Sequence, residues 1–558
     1  MDDRQNIVVV ANKTEGFCLE NIAAAYIAAA NFYFQSAQLA KVSLLIDKKI
    51  SAYLKSLSEQ NIQVPITLSP LFRNVLVLMG VDEKSFLRET DGQYLLGTYI
   101  HKVNQKENLQ SEGHVQTFGE TGTASGAVDF HQLYQRCQND GARNLRPIYE
   151  YSLAAKAALC QKFEHPDANP NSILSTIYYG YTVDLLKLIA FVGRLLSSKI
   201  SIHVFDVLEE NIDRNDRVFE VVLDKCQTLP VDLYANFETG SMPTGSERSL
   251  GDNFQSVRRA LFCFDYVDVD CEKVCLGAQA LQSKLLCSKI FFDWGWIDVT
   301  RYSQHVFVKA FVEQCDGSVT EKIESDIQRY LSRYYKGLKI INSPELSNLQ
   351  LDLTMPINTS SLDEDKFVDW SGNVIKFKSG CQAFPMLNMS WVDYSWLMLD
   401  ALCNYIYTAC KDEVAANLLR VSFNDTSKSF SDKLKLNGCL IKSYDRWLVD
   451  SPKNDALSEQ SYDSNGKTIE AQAFDRFSLF KRRGKIIRDS ADIFPESYYA
   501  ILLYGLGVKL DIYHPLADHQ RLEDFNDLLV SMERAIDGAL KGMPDYEQFM
   551  MSYLGAAK

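Results

Sequence analysis

The first apolar run of the chain is followed by a polar turn and then by an alanine-rich stretch. Residues 7–11 read Ile-Val-Val-Val-Ala, the turn covers residues 12–17, and a helical pattern runs from about Ile22 to Ala30. This order is typical of the strand–turn–helix unit that binds nucleotides at the start of a parallel sheet. The sequence therefore predicts an α/β core that begins with this strand.

The turn departs from the glycine pattern that such a unit needs. Three glycines normally allow the tight bend, the approach of the backbone to a pyrophosphate and the close packing of helix on strand. The corresponding residues here are Ala11, Lys13 and Gly16. Only the packing glycine is present, and a long charged side chain stands where the phosphates would lie. The pattern predicts the shape of a cofactor site with a poor fit to the cofactor.

Strand and helix patterns alternate over the first half of the chain. Strands are predicted at residues 42–46, 200–207, 218–222 and 231–235, and helices at residues 22–40 and 182–196. This alternation indicates the α/β class. Polar stretches at residues 104–127, 238–253 and 451–467 predict loops. From Trp391 onward the pattern is mainly helical and ends in an amphipathic stretch from Leu522 to Leu540.

Composition limits the classes of partner and compartment. The chain has 558 residues, of which 46% are hydrophobic, and a net charge of −14. Its basic residues are scattered, which argues against nucleic acid or an anionic membrane as the main partner. The N-terminal residues lack the basic region of a signal peptide, and the richest apolar stretch is interrupted by Lys187 and Arg194. We expect a soluble, cytoplasmic protein.

The cysteines predict neither disulfides nor a metal site. There are 13, an odd number, and most lie in apolar segments, where a reduced cysteine behaves as a small hydrophobic residue. Cys271 and Cys275 have no second Cys/His pair with the spacing of metal ligands. We therefore expect no metal.

Asp47 ends the second predicted strand. In a dinucleotide-binding fold, a carboxylate at this place holds a ribose hydroxyl. An aspartate after a strand is equally typical of the start of a turn. The sequence leaves both interpretations open.

Read in order, a series of segments resembles the flavin-dependent tryptophan halogenase family over nearly the whole chain. The tyrosine-containing segment 94–97 looks like the family's FKxG segment, and residues 294–299, Trp-Gly-Trp-Ile-Asp-Val, stand in the place of its WxWxIP signature. The other segments that carry the resemblance are 70–73 with 79–87, 129–131, 151–155, 179–184, 370–373 and the C-terminal block around 513–518. The order and spacing of the segments support the inference of a common fold.

The resemblance implies an FAD-monooxygenase-like core, the flavin-dependent halogenase fold, over residues 1–390. It implies a mainly helical substrate region over residues 391–558. In active members, a flavin hydroperoxide oxidises chloride or bromide, and a lysine and a glutamate then direct the oxidant to an aromatic substrate. The alignment puts Leu95 at the lysine and Asn388 at the glutamate. An isobutyl group cannot bind hypohalous acid and an amide cannot ionise, so the halogenation step is unsupported.

The resemblance also implies a flavin site. Gly372 and Asn373 belong to the segment that approaches flavin, so the candidate cofactor-binding residues are Lys13, Gly16, Asp47, Gly372 and Asn373. The family's glycine-rich segment has become Lys-Ser-Gly-Cys-Gln-Ala at residues 378–383. We expect FAD binding to be weak or lost, although Lys13 and Lys378 could contact a phosphate.

A candidate pocket is made up of Ser390, Gln382, Trp294 and Trp296. In the family the tryptophan motif is thought to keep the flavin from ordinary monooxygenation. Two tryptophans that flank a glycine are also common as plain core residues. The sequence does not decide between the two roles.

Three functions follow as hypotheses. The first is a halogenase-like protein without halogenase activity, which forms a homodimer or a heterodimer with an intact homologue in natural-product biosynthesis. The second is an enzyme of different chemistry on the same fold, a flavin-dependent oxygenase or a flavin-independent catalyst that acts on an aromatic or carrier-bound substrate. The third and least supported is a true halogenase whose catalytic residues have moved.

Overall fold

The structure is a computed structural model of the chain. Its described residues are 5–12, 19–36, 40–103, 113–140, 145–214, 217–238, 257–265, 287–292, 295–302, 305–313, 326, 329–330, 356–357, 367–378, 389–409, 413–449, 469–488 and 492–555. They form two compact units, each assembled from three segments of the chain. Unit 1 comprises residues 1–93, 181–260 and 347–434, and unit 2 comprises residues 94–180, 261–346 and 435–558. The division predicted between residues 390 and 391 stays a prediction.

The strands alternate with helices in the first part of the chain. They are β1 Gln5–Asn12, β2 Ala40–Asp47, β3 Pro65–Leu68, β4 Gln93–Leu95, β5 Gly97–Lys102, β6 His114–Thr117, β7 Gly180–Asp184, β8 Ser201–Phe205, β9 Leu208–Ile212, β10 Val218–Leu223, β11 Gln227–Pro230, β12 Leu233–Glu238, β13 Val257–Asp265, β14 Cys287–Phe292, β15 Gly295–Tyr302, β16 His305–Glu313, β17 Pro356–Ile357, β18 Val368–Ser371 and β19 Val374–Lys378.

The helices dominate the last part. They are α1 Leu19–Ser36, α2 Lys48–Glu59, α3 Phe72–Leu78, α4 Glu83–Glu89, α5 Phe130–Asn139, α6 Leu153–Leu159, α7 Leu185–Leu196, α8 Trp391–Ala409, α9 Glu413–Val449, α10 Ile469–Arg483, α11 Glu496–Gly505, α12 Leu522–Gly542 and α13 Tyr546–Leu554. The mixed α/β class with a helical C-terminal region, predicted from the sequence, is confirmed.

Unit 1 is organised around a six-stranded sheet with the order β18-β19-β12-β1-β2-β8. β1 lies between two parallel neighbours, with Ile7 beside Leu233 on one side and Val42 on the other. Its residues from Ile7 to Ala11 are almost completely buried, which explains why the run is apolar on both faces rather than alternating. The predicted first strand is therefore the centre of the sheet.

Helix α1 packs against this sheet and against α8. Its buried alanines, which lie at positions 23–25 and 28–30, leave little side-chain bulk between the helix and its neighbours. A thiol donor, Cys403 Sγ on α8, lies 3.4 Å from Asn31 Oδ1 on α1. The alanine-rich pattern therefore indicates close packing of α1 in the core.

The other face of the sheet is covered by a small antiparallel sheet with the order β11-β10-β9. Val8, Val10 and Leu45 of the large sheet form one hydrophobic cluster with Val218 and Val221 of the small one. A layered arrangement of this kind buries apolar side chains on both faces of a parallel sheet.

Unit 2 contains a separate sheet and a helical cluster. β16, β15, β14, β5 and β6 are neighbours in that order, with β14 parallel to β5 and the other pairs antiparallel. A large hydrophobic cluster joins residues of α5, α10, α11 and α12. The predicted amphipathic stretch at residues 522–540 is confirmed as α12.

Two local predictions are wrong. Residues 182–184 were expected in a helix but extend β7, which pairs antiparallel with β3, and Asp184 instead caps α7. Part of the loop predicted at residues 104–127 forms β6, which pairs with β5 and is buried in spite of its polar residues. In both cases pairing with a distant strand decided the structure.

Some features are absent from the described part of the chain. None of its helices is long and apolar enough to cross a membrane. None of its His, Cys, Asp and Glu side chains gather in threes that could hold a metal ion. Among the described residues, six cysteines are free thiols: Cys137, Cys160, Cys226, Cys287, Cys403 and Cys439.

Candidate functional site

The carboxyl edge of the six-stranded sheet is the first candidate site. In the sheet, β2 and β8 lie on one side of β1, and β12 and β19 lie on the other side. The strand register places Asn12 level with Glu238, and Glu238 level with Lys378. Ligands of α/β sheets bind beyond the carboxyl ends of the strands, where the strand order reverses. A nucleotide would therefore be expected beside the end of β1.

Asp47 lies on this edge. Its neighbour Ile46 pairs with Ala11 of β1, and its own Oδ1 accepts a hydrogen bond of 2.7 Å from the backbone N of Lys49. Asp47 is thus the N-cap of α2, as the turn interpretation predicted. Its place at the end of the neighbouring strand also suits a contact with a ribose hydroxyl, which stays a prediction.

The start of α1 does not suit a pyrophosphate. A helix that follows a parallel strand runs back along the sheet, so its first turn lies near the carboxyl edge, where its N–H groups favour an anion. Here that turn carries Glu20, whose side chain is only 8% exposed. A carboxylate at this place repels a phosphate and competes for the same N–H groups. Among the described residues, the carboxylate of Glu20 is thus unfavourable to a phosphate at this helix start. The expected weak binding of FAD stays a prediction.

Gly372 and Asn373 are not brought together with Asp47. They form the hairpin turn between β18 and β19, in which Gly372 has a φ of +57° that favours glycine. Asn373 Oδ1 accepts from Val218 N at 3.0 Å, and its Nδ2 donates to Val218 O at 2.6 Å. β19 begins beside Tyr234, at the amino end of the parallel strands. The two residues thus lie at the opposite end of the sheet, where they hold a hairpin.

A buried carboxylate lies at the start of α8. Asp393, which is 1% exposed, accepts hydrogen bonds from the backbone N and the hydroxyl of two serines. The distances are 2.9 Å from Ser390 N and Oγ, 2.9 Å from Ser69 Oγ, and 3.1 and 3.0 Å from Ser69 N to the two oxygens. Ser390, predicted as a pocket residue, is therefore the cap of α8, because its Oγ also accepts from Asp393 N at 3.2 Å.

The Asp393 carboxylate lies at the start of α8, where it accepts from the N-cap residue Ser390. Burial raises the pKa of Asp393 to about 6, and the hydrogen bonds from Ser390 and Ser69 oppose that rise. The carboxylate accepts from one backbone N–H at this helix start, that of Ser390, and it places a negative charge there that disfavours an external anion. Sequence reasoning missed Asp393 and Ser69, although Ser-x-x-Asp before an apolar run is the signature of a capping box.

Leu95 lies in unit 2, at the end of β4, and is 1% exposed. The preceding residue, Tyr94, stacks on Phe163 with ring centroids 4.2 Å apart. Leu95 is therefore an apolar side chain in a packed interior. That this position corresponds to the family's lysine stays a prediction.

Trp296 belongs to β15 of unit 2 and is 1% exposed. It pairs with Phe291 of β14 and Phe311 of β16, in the interior of the sheet. This burial and this position in the sheet agree with the interpretation of Trp296 as a core residue. A contact with a cofactor stays a prediction.

The other predicted site residues lie outside the described residues. They are Lys13, Gly16, Gln382, Asn388 and Trp294. The glutamate position and half of the candidate pocket are thus known here from the sequence alone. We derive no chemical step through them.

The comparisons with known proteins agree with this fold. The family model of the tryptophan halogenases matches residues 23–297. No curated protein sequence matches the chain.

Several solved structures have a similar fold over the whole chain. BrvH, a flavin-dependent halogenase from Brevundimonas sp. BAL3, has a TM-score of 0.68 at 14% identity, and covers 99% of this chain and 100% of its own. Xcc4156, a flavin-dependent halogenase from Xanthomonas campestris, has a TM-score of 0.65 at 14% identity and 99% coverage of both chains. SttH, a tryptophan 6-halogenase from Streptomyces toxytricini, has a TM-score of 0.66 at 11% identity, with 99% and 100% coverage.

The low identities show the shared fold and leave the activity open. The family match and the fold agree with the order of segments that the sequence displays. Residues 23–297 match the family model of the tryptophan halogenases, and the chain as a whole has the fold of the flavin-dependent halogenases.

Proposed function

We propose that this chain is a halogenase-fold protein that does not halogenate and that acts as a noncatalytic subunit, either with a second copy or with an intact homologue. The observation that carries the proposal is Leu95, an apolar side chain with 1% exposure where the resemblance implies an ammonium group. Such a side chain can neither bind hypohalous acid nor form a haloamine. Natural-product biosynthesis and a cytoplasmic location belong to the same proposal.

Two features of unit 1 support the proposal. Glu20 in the first turn of α1 disfavours the phosphates of FAD, and Asp393 occupies the start of α8. A bound flavin would supply the oxidising chemistry of the family. Asp47 could then contact its ribose, but the carboxylate of Glu20 opposes the retention of its phosphates.

The binding of FAD tests this proposal. The full chain is titrated with oxidised and with reduced FAD, and binding is followed by calorimetry and by the visible spectrum. We expect no saturable binding in the micromolar range and no bromination of tryptophan, indole or phenol when bromide, reduced FAD and oxygen are supplied. Bromide-dependent product formation would overturn the proposal.

A second function is favoured by the position of Asp47 at the end of β2. If FAD or another nucleotide does bind, the chain is an enzyme of different chemistry that acts on an aromatic or carrier-bound substrate. Asp47→Asn would then weaken binding, whereas Asp82→Asn, the same change at the cap of α4, would not. Tight binding that Asp47→Asn weakens would favour this second function over the first.

The role as a subunit has its own test. The chain is co-expressed with a family member that carries the lysine and the glutamate, and the mass of the purified assembly is measured by light scattering. A stable mixed dimer, or a homodimer of this chain, is the expected result. A monomer in both preparations would contradict the proposed role.

A further inference from the structure

Positive charge is concentrated at one place in unit 2. Within residues 481–488 the sequence reads Lys-Arg-Arg-Gly-Lys-Ile-Ile-Arg, which contains five basic residues and no acidic one. The whole chain has a net charge of −14, so this segment is opposite in sign to the rest. The first three basic residues end α10, where they also complement the helix dipole.

The loop that follows α10 is fixed through Gly484. Its φ of +64° favours glycine, and an added Cβ would lie 2.8 Å from Leu510 Cδ1. The backbone O of Gly484 lies 2.8 Å from His131 Nε2 and accepts at 3.3 Å from Gln132 Nε2. The turn is therefore held against α5 by buried side chains.

Ion pairs and hydrogen bonds hold the residues from Lys485 to Ile487 in place. Lys485 Nζ lies 2.7 Å from Asp129 Oδ2, and Ile486 N donates to Glu496 Oε1 at 3.2 Å. Arg476 donates to both oxygens of Asp492 at 3.0 Å and to the backbone O of Ile487 at 3.2 Å. Because the backbone is already ordered, a partner that binds here loses little conformational entropy of the loop.

Four side chains of this rigid segment point to solvent. Arg482, Arg483 and Arg488 are exposed, and Ile487 is 73% exposed. Arg488 donates to the backbone O of Asp492, which positions its guanidinium group. We call Arg482, Arg483, Ile487 and Arg488 the basic surface.

We propose that the basic surface docks an acidic segment of a separate protein partner. The planar guanidinium groups would bind carboxylates with two parallel hydrogen bonds each, and an apolar side chain of the partner would cover Ile487. The inference does not depend on the loss of halogenase activity, because no residue of the basic surface belongs to the candidate site.

Two other anions fit the surface less well. Single-stranded nucleic acid is usually bound with exposed aromatic rings on which bases stack, and the exposed side chains that define the basic surface include none. An anionic membrane favours an extended apolar helix face, whereas this surface offers a single isoleucine. A short segment that exposes three arginines and one apolar side chain fits an acidic peptide best.

The test uses the full chain and a fluorescent peptide that is rich in glutamate and contains leucine. We expect saturable binding that weakens as salt is added and that is absent for the peptide with glutamine in place of glutamate. Arg482→Glu combined with Arg483→Glu should weaken binding at least about tenfold, and Ile487→Ser should weaken it several-fold. The matched control is Lys48→Glu with Lys49→Glu, an equal change of charge on the exposed start of α2, which should leave binding unchanged.

Three outcomes would overturn the proposal. They are an equal loss of binding in the control, no binding of the glutamate peptide by the wild-type chain, and tighter binding to a single-stranded oligonucleotide or to phosphatidylserine vesicles than to the peptide. Circular dichroism checks the folding of each variant. If the glutamate double variant does not fold, Arg482→Gln with Arg483→Gln removes the charges without introducing repulsion.

Discussion

At the scale of single residues, the polar side chains that matter most in this fold are buried and serve the structure. Asp393 ties the end of β3 to the start of α8 through Ser69, which lies 324 residues earlier in the chain. His114 is completely buried in β6, and its Nε2 lies 2.9 Å from Gln116 Oε1. Buried groups of this kind cannot be replaced without leaving their partners unpaired.

Asp393→Asn should lower the free energy of unfolding by about 2 to 4 kcal/mol at pH 7. An amide NH₂ cannot accept the hydrogen bonds that Ser69 or Ser390 now donates, so buried N–H groups lose their acceptor. Urea denaturation measures the change. The control is Asp82→Asn at the cap of α4, which should stay within about 0.5 kcal/mol because asparagine caps a helix as well as aspartate.

The contribution of Asp393 to the stability of the fold depends on pH in a definite direction. Its folded pKa of about 6 lies above the ordinary value of 3.8, so protonation is easier in the folded state. Its contribution to stability is therefore largest below pH 3.8 and is lost as the pH rises through 6. An Asp393→Asn penalty that did not change between pH 5 and pH 7 would contradict this assignment.

His114 should have the opposite effect, because its contribution to stability decreases as the pH falls. Burial lowers its pKa from 6.5 to about 4, so in this interval the unfolded chain binds a proton that the folded chain does not. The linked loss of stability between pH 7 and pH 5 is about 2 kcal/mol. We expect His114→Gln to reduce this loss in urea denaturation at the two pH values. The exposed His519→Gln serves as control and should leave it unchanged.

Leu95→Lys should destabilise the chain rather than restore a catalytic group. Leu95 is buried beside Tyr94, so an ammonium group there would lose its hydration without a described partner, at a cost of about 3 kcal/mol or more. Leu95→Met keeps the volume and should cost less than about 1.5 kcal/mol. Thermal and urea unfolding compare the two. A lysine that is tolerated as well as methionine would show that the site is polar or open.

At the scale of elements, helix α9 protects one edge of the six-stranded sheet with its side chains. Asn424 donates to and accepts from the backbone of Trp370 in β18, both at 2.9 Å. Ser431 accepts from Phe367 N, Ser427 donates to Val368 O, and Arg420 donates to Gly372 O. Positions 420, 424, 427 and 431 lie on one helix face, so the helix replaces a neighbouring strand. The opposite edge, β8, shows no such capping among the described residues.

This difference between the two edges of the sheet predicts different rates of hydrogen exchange for their backbone amides. The Trp370 amide should exchange with deuterium more slowly than the amides of β8 that face away from β2, because its N–H has an acceptor. Asn424→Ala should remove that protection and lower the free energy of unfolding by about 1 to 3 kcal/mol. Ser429→Ala, at an exposed position of the same helix, should change neither quantity. Equal exchange at both edges in the wild-type chain would contradict the capping role.

At the scale of the whole molecule, the architecture of the flavin-dependent halogenases is kept, and we propose that the site has changed. The central strand, the packed alanine-rich helix and the reversal of strand order beside β1 all belong to a nucleotide-binding sheet. In the proposed function, the acidic side chains at the start of α1 and at the start of α8 disfavour phosphates. A fold tolerates such changes because its stability comes from the buried strands, and its function comes from side chains at their ends.

The sequence by itself determined the class of the fold and those strands and helices whose apolar pattern is strong. Apolar runs such as residues 7–11 and the periodic stretch of α12 follow from local burial, which is encoded in nearby residues. It also placed Asp47 at the end of a strand, but it left open whether this residue starts a turn or contacts a ribose. The resemblance to a family came from the order of short segments, and it did not require contacts.

Only the tertiary structure decided which side chains meet. Ser390 looked like a pocket residue but caps α8, and the Asp393 carboxylate that it binds also accepts from Ser69, 324 residues earlier in the chain. Gly372 and Asn373 looked like neighbours of Asp47 but lie at the other end of the sheet, because β19 runs parallel to β1 and starts at its amino end. Contacts between residues hundreds of positions apart depend on strand order and direction, and local periodicity carries no information on either.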